Sequence, residues 1–139
     1  MESTEKFFVI VLCALALAVS PGCIGGKSET VTIEKGFMYS YSFDMPEETE
    51  VMFTLDTDGT PVDVLVLDRA NFEVFQKIFS GGGDGKVSIL VSYPGVVSKS
   101  FTFTSPKDDT YYIVVENSDW LKGGATATRA VRVVTRSSV

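Results

Sequence analysis

The strongest constraint on the fold is a period of two in the apolar residues, carried by short segments that end in turn formers. Phe37, Tyr39, Tyr41 and Phe43 alternate with Met38, Ser40, Ser42 and Asp44. Val51, Phe53 and Leu55 alternate with Met52, Thr54 and Asp56. Alternate side chains of a strand point to opposite faces, so each segment predicts a strand with one face buried. Pro46-Glu47-Glu48 and Thr57-Asp58-Gly59-Thr60-Pro61 punctuate them. Alternation resumes in Val87, Ile89, Val91 and Tyr93, with Tyr93-Pro94-Gly95 read as a turn, and again in Phe101 and Phe103. Tyr111 to Val115 and Ala130 to Val134 supply the last strands, after a turn at Ser105-Pro106-Lys107-Asp108-Asp109.

Val62 to Leu67 departs from the alternation. It is almost wholly apolar, which predicts a central strand covered on both faces. Asp68 then fits a helix N-cap, and Phe72, Phe75, Ile78 and Phe79 recur at helical spacing through RANFEVFQKIF. Ser80 to Gly85 is a glycine-rich loop without the lysine and hydroxyl residue of a phosphate-cradling loop. About eight strands at intervals of about 8–12 residues, with one short helix, predict an all-β antiparallel sandwich or barrel. The sandwich is expected over residues 31–139. Lys99, Arg129 and Arg132 are candidate guards of exposed strand edges.

The amino terminus obeys another rule. Phe7 to Val19 is unbroken and apolar. It is shorter than the about 20 residues of a membrane-spanning helix and suits the about 7–15 of an export signal's apolar region. Pro21 and Gly22 then break the helix, and Cys23 follows. Cys23 after a small residue at the end of an apolar run resembles the lipidation site of exported lipoproteins, and Gly22-Cys23-Ile24-Gly25-Gly26 is similar to the start of archaeal ones. Ser20 stands where that family usually has leucine, and the first residues are not clearly basic. The resemblance implies a signal peptide over 1–22, a lipid on Cys23, and a polar tether through residue 30. An uncleaved signal anchor and simple secretion are the alternatives. All three place the folded domain outside the cytoplasm, on the cell membrane if anchored.

No cysteine follows Cys23, so the domain has no disulfide and depends on its core. The stretches Val62-Asp63-Val64-Leu65-Val66-Leu67-Asp68 with Asn71-Phe72, Phe101-Thr102-Phe103-Thr104, and Thr110 to Asn117 together resemble jelly-roll sandwiches of the pre-peptidase C-terminal type. They are also similar to GOLD-like domains of surface proteins. These resemblances imply a jelly roll acting as a non-catalytic accessory or binding module.

The net charge of -6 argues against nucleic acid as a partner. Nucleophilic catalysis lacks its usual base, because there is no histidine, so the domain is expected not to be an enzyme and to carry no cofactor. Calcium is the metal its residues suit, since it takes oxygen ligands. Asp56, Asp58 and Asp63 form one candidate group, and Asp108 and Asp109, with Asp119, another; the alternative for each is an aspartate selected for turn geometry. Trp120 and Tyr112 are candidate ligand contacts, weighed against packing. The expectation is a membrane-anchored surface lipoprotein contacting an extracellular protein or glycan. The alternative is a structural envelope component with no diffusible ligand.

Overall fold

The computed structural model describes residues 27–83, 85–118, 120–121 and 124–139. The expected signal peptide, Cys23 and the first part of the tether lie outside these residues. Eight strands and one helix follow in order: β1 (Lys27–Ile33), β2 (Phe37–Met45), β3 (Glu50–Thr57), β4 (Val62–Asp68), α1 (Arg69–Phe79), β5 (Val91–Val96), β6 (Ser98–Thr104), β7 (Asp109–Asn117) and β8 (Val131–Ser138). The polar stretch read as tether thus gives Lys27 to Thr30 to the first strand.

Two four-stranded sheets have the orders β1-β8-β3-β6 and β2-β7-β4-β5, and every pairing is antiparallel. This is the strand order of a jelly roll. The all-β sandwich with one short helix is as the sequence predicts.

The inner faces meet in a core of Tyr41, Phe43, Val51, Phe53, Leu55, Val64, Phe103, Tyr111, Ile113 and Val131, among others. Burial along the strands shows what covers each outer face. β3 alternates between buried and open, because one of its faces meets solvent. In β4 every residue from Val62 to Leu67 is buried, because α1 lies over the outer face of its sheet. Phe72 and Phe75 pack there against Leu65, Leu67, Val114 and Met38. Asp68 caps the helix as predicted: its Oδ1 accepts from the Asn71 backbone N–H at 2.9 Å.

Three local readings change. Tyr93-Pro94-Gly95 does not turn the chain but lies within β5. Pairing jumps from Val64–Tyr93 to Val62–Val96, so Pro94 and Gly95 together oppose Asp63 in a β-bulge. Gly95 takes φ of 64°, open to glycine at little cost. Val87 and Ile89 precede the strand and pack with the helix instead. Arg132 lies on β8, an interior strand, and Arg129 precedes it, so of the three proposed guards only Lys99, on β6, occupies an edge.

Candidate functional site

The predicted aromatic contacts lie on the covered face. Tyr112 follows Tyr111 on β7, so the two point to opposite sides. Tyr111 is core, and Tyr112 stacks on Phe72 with centroids 3.8 Å apart and rings 8° from parallel. Burial raises the Tyr112 phenol above its ordinary pKa. Trp120 meets Phe75 edge-on at 4.8 Å. Both residues are half-buried and used in holding the helix against its sheet.

Among the described residues, the predicted calcium candidates are not grouped into a metal-binding cluster. Asp56 and Asp58 are neighbours in sequence to Asp63 but not in space. Asp56, at the open face, accepts from the Ser98 hydroxyl at 2.7 Å. Asp58 braces a turn, taking N–H groups of Thr60 at 3.1 Å and Arg132 at 3.2 Å. The Arg132 amide is the main cause holding the Asp58 carboxyl below its ordinary pKa, and Arg129 adds to it from 3.6 Å. Asp108 accepts from the Glu47 N–H at 2.6 Å, and Asp109 from the Thr110 N–H at 2.8 Å. They border an open cleft of about 530 Å³ that also holds Arg69 and Asp44. Asp119 is outside the described residues. Among the described residues no three histidine, cysteine or acidic side chains are grouped to hold a metal.

Asp63 belongs to a different constellation, which sequence reading missed. It pairs in register with Glu116 on β7, and both are fully buried. Asp63 Oδ1 accepts two backbone N–H groups, from bulge residue Gly95 and from Ala125, each at 2.8 Å. Glu116 Oε1 accepts from the Ser118 hydroxyl. The remaining oxygens, Asp63 Oδ2 and Glu116 Oε2, have no hydrogen-bond donor among the described residues. Gly124 sits directly on the pair: a Cβ there would stand 2.7 Å from both Asp63 oxygens. Burial first, and then the charge of Asp63, raise Glu116 from 4.5 to about 8. The only sequence signal is an acid inside each of two apolar strands, and nothing in the sequence pairs them.

The pair is enclosed, so it can hold a proton, but a substrate has no open path to it. It also couples folding to pH. Unfolded, Glu116 loses its proton near 4.5; folded, it keeps it to about 8. Between these values the folded state binds more protons, so stability falls as pH rises. Urea unfolding between pH 5 and 8 is expected to show this decline, at up to about 1.4 kcal/mol per pH unit. No histidine obscures that window. A flat profile would contradict the raised pKa of Glu116. Asp58 acts in the opposite sense and lower down, its stabilisation being lost as pH falls through its depressed range.

Among the described residues, no helix lies over the other sheet. Register places Ser28, Arg136, Thr54 and Ser100 in one row across all four strands, with Thr54 and Ser100 hydroxyls 3.1 Å apart. Met52, 54% exposed, stands in the next row beside Ser138 and Thr102. A cleft of about 330 Å³ opens between Lys27, Ser28, Met52, Thr54, Arg136 and Ser138.

No family model matches the sequence, and no curated protein does. The fold has solved counterparts. The pre-peptidase C-terminal domain of a collagenase from Bacillus anthracis superposes with a TM-score of 0.53 at 9% identity, over 81% of this chain and 89% of that one. A periplasmic inhibitor of g-type lysozyme from Aeromonas hydrophila gives 0.51 at 12% identity, over 84% and 87%. The Yersinia pseudotuberculosis-derived mitogen gives 0.50 at 8% identity, over 84% and 86%. At such identities the likeness is one of fold, and the first of the three is the domain type that the strand motifs resemble.

Proposed function

We propose that the protein is an extracytoplasmic, non-catalytic binding module, anchored to the membrane through lipid on Cys23, that contacts an extracellular protein or glycan. The observation that carries this reading is the asymmetry of the two sheets. One outer face is sealed by α1 and its aromatics. The other presents Arg136, Met52 and a row of hydroxyls around a cleft. Arginine and hydroxyl groups recognise carboxylates, backbone carbonyls and sugar hydroxyls, and an exposed methionine adapts to an apolar surface.

Two further points support the location. The apolar run before Cys23 has the length of an export signal. The solved counterparts include a periplasmic inhibitor and a domain of a collagenase. No helix among the described residues is long and apolar enough to cross a membrane, so on this reading the lipid is the attachment. A two-chain lipid holds stably where one chain is marginal.

The test has two arms. Mass spectrometry of the native amino terminus is expected to find a lipid-modified Cys23; an intact Met1 or an unmodified Cys23 overturns the anchor. Cosedimentation with cell envelopes of the source organism is expected to be saturable and to weaken tenfold or more in Arg136→Glu, while Lys107→Glu on a distant turn leaves it unchanged. Equal binding by both variants would remove this face as the contact surface.

A further inference from the structure

We propose that Asp63 and Glu116 share one proton between Oδ2 and Oε2, and that its release unfastens Ser118, Trp120 and Ala125 from the sheet, making the pair a pH-sensitive latch. Both oxygens are buried without a donor among the described residues, and they belong to residues directly opposite each other on β4 and β7. A buried acceptor without a donor is costly. A single proton satisfies both: the protonated carboxyl donates and the ionised one accepts, as in other carboxylate pairs held close together.

The pair also holds the route from β7 towards β8. Ala125 is fastened to Asp63 by its N–H, and Ser118 to Glu116 by its hydroxyl. The Ser118 oxygen in turn accepts the Trp120 N–H at 3.1 Å. Trp120 closes against Phe75 of the helix. Loss of the shared proton leaves two charges side by side where only one was supported, and the strands cannot separate without breaking the sheet. The backbone beyond β7 is the part that can give.

Nothing charged among the described residues offsets this. β2 offers Met38 and Ser40, β5 offers the Gly95 amide, α1 turns Phe72 and Phe75 inward, and Asp63 is the only charge acting on Glu116. Asp119 and Lys122 belong to the same connection and lie outside the described residues.

Trp120 is the only tryptophan of the chain and reports directly. Its emission in the full-length protein is expected to shift to the red as pH rises, with a midpoint near the value of about 8 to which Glu116 is raised. The shift is expected to vanish in Glu116→Gln, whose amide donates to Asp63 at every pH, and to persist in Asp119→Asn and Lys122→Met. A flat titration, an unchanged shift in Glu116→Gln, or its loss in Lys122→Met would overturn the proposal. A response of the emission to a chelator at pH 6.5 would also overturn it, in favour of a bound cation. Should Glu116→Gln not fold, infrared spectroscopy of the unaltered protein decides. A protonated-carboxyl band present at pH 6.5 and lost by pH 9.5 is expected; no such band at either pH sinks the shared proton.

Discussion

Phe53→Ala is expected to cost about 3–5 kcal/mol, while Met52→Ala, one residue earlier on the same strand, is expected to change stability by no more than about 0.5 kcal/mol. Phe53 is fully enclosed between the sheets, with the rings of Tyr41 at 5.3 Å and Phe101 at 5.7 Å. Its removal leaves a cavity that neighbours held on separate strands, Tyr41 on β2 and Phe101 on β6, cannot close together. Domains of this size hold only about 5–15 kcal/mol in all. No cysteine follows Cys23, so no disulfide within the domain can compensate, and the variant loses a large share of its stability. Met52 faces the open side. Urea midpoints at constant slope measure both effects. Comparable losses at the two positions would mean that the register of β3 is other than described.

Asp63→Ala is expected to cost about 2–4 kcal/mol, and Asp63→Asn under about 1 kcal/mol, because the amides of Gly95 and Ala125 need an acceptor more than they need a charge. Alanine leaves both N–H groups buried and unpaired at the bulge and beneath Gly124. Asparagine keeps an oxygen for them and turns a donor towards Glu116. Thermal or urea unfolding at pH 7 separates the two substitutions. If asparagine proved as damaging as alanine, the negative charge itself would be the stabilising element. The contrast is informative because a buried carboxylate is ordinarily costly, and here its two donors explain why it is kept.

Much of this fold is legible in the sequence, for a simple reason. Period-two alternation is a local property, and β2, β3 and β6 display it openly because one of their faces meets solvent or a thin cover. The helix is legible through Asp68 and its phenylalanine spacing. Legibility fails where meaning depends on a partner distant in sequence. Pro94-Gly95 has the chemistry of a turn, and a bulge uses that same chemistry; only pairing with β4 distinguishes them. Val87 and Ile89 alternate like a strand, but the helix claims them. The aspartates at 56, 58 and 63 are near in sequence, yet a strand crossing between the sheets sends Asp63 to the far side. Glu116 lies beyond any local pattern, since its partner is on another strand. The open face of the first sheet was equally hidden. Ser28, Arg136, Thr54 and Ser100 become a row only when four strands are laid side by side.

The bulge in β5 has a consequence for how this sequence can vary over evolutionary time. Tyr93 and Val96 are an odd number of positions apart, yet both pack against the inner core. Only the extra residue at Pro94-Gly95 reconciles them, by restoring the parity of the strand after it. Deleting Gly95 would abolish the bulge and leave Pro94, which has no N–H, opposite Asp63, withdrawing the amide that Asp63 receives. Gly82, in the loop after the helix, sits in no pairing, and its loss would turn nothing over. Insertions and deletions should therefore accumulate near residue 82 and be purged at 94 and 95, where chain length is under as tight a selection as any side chain.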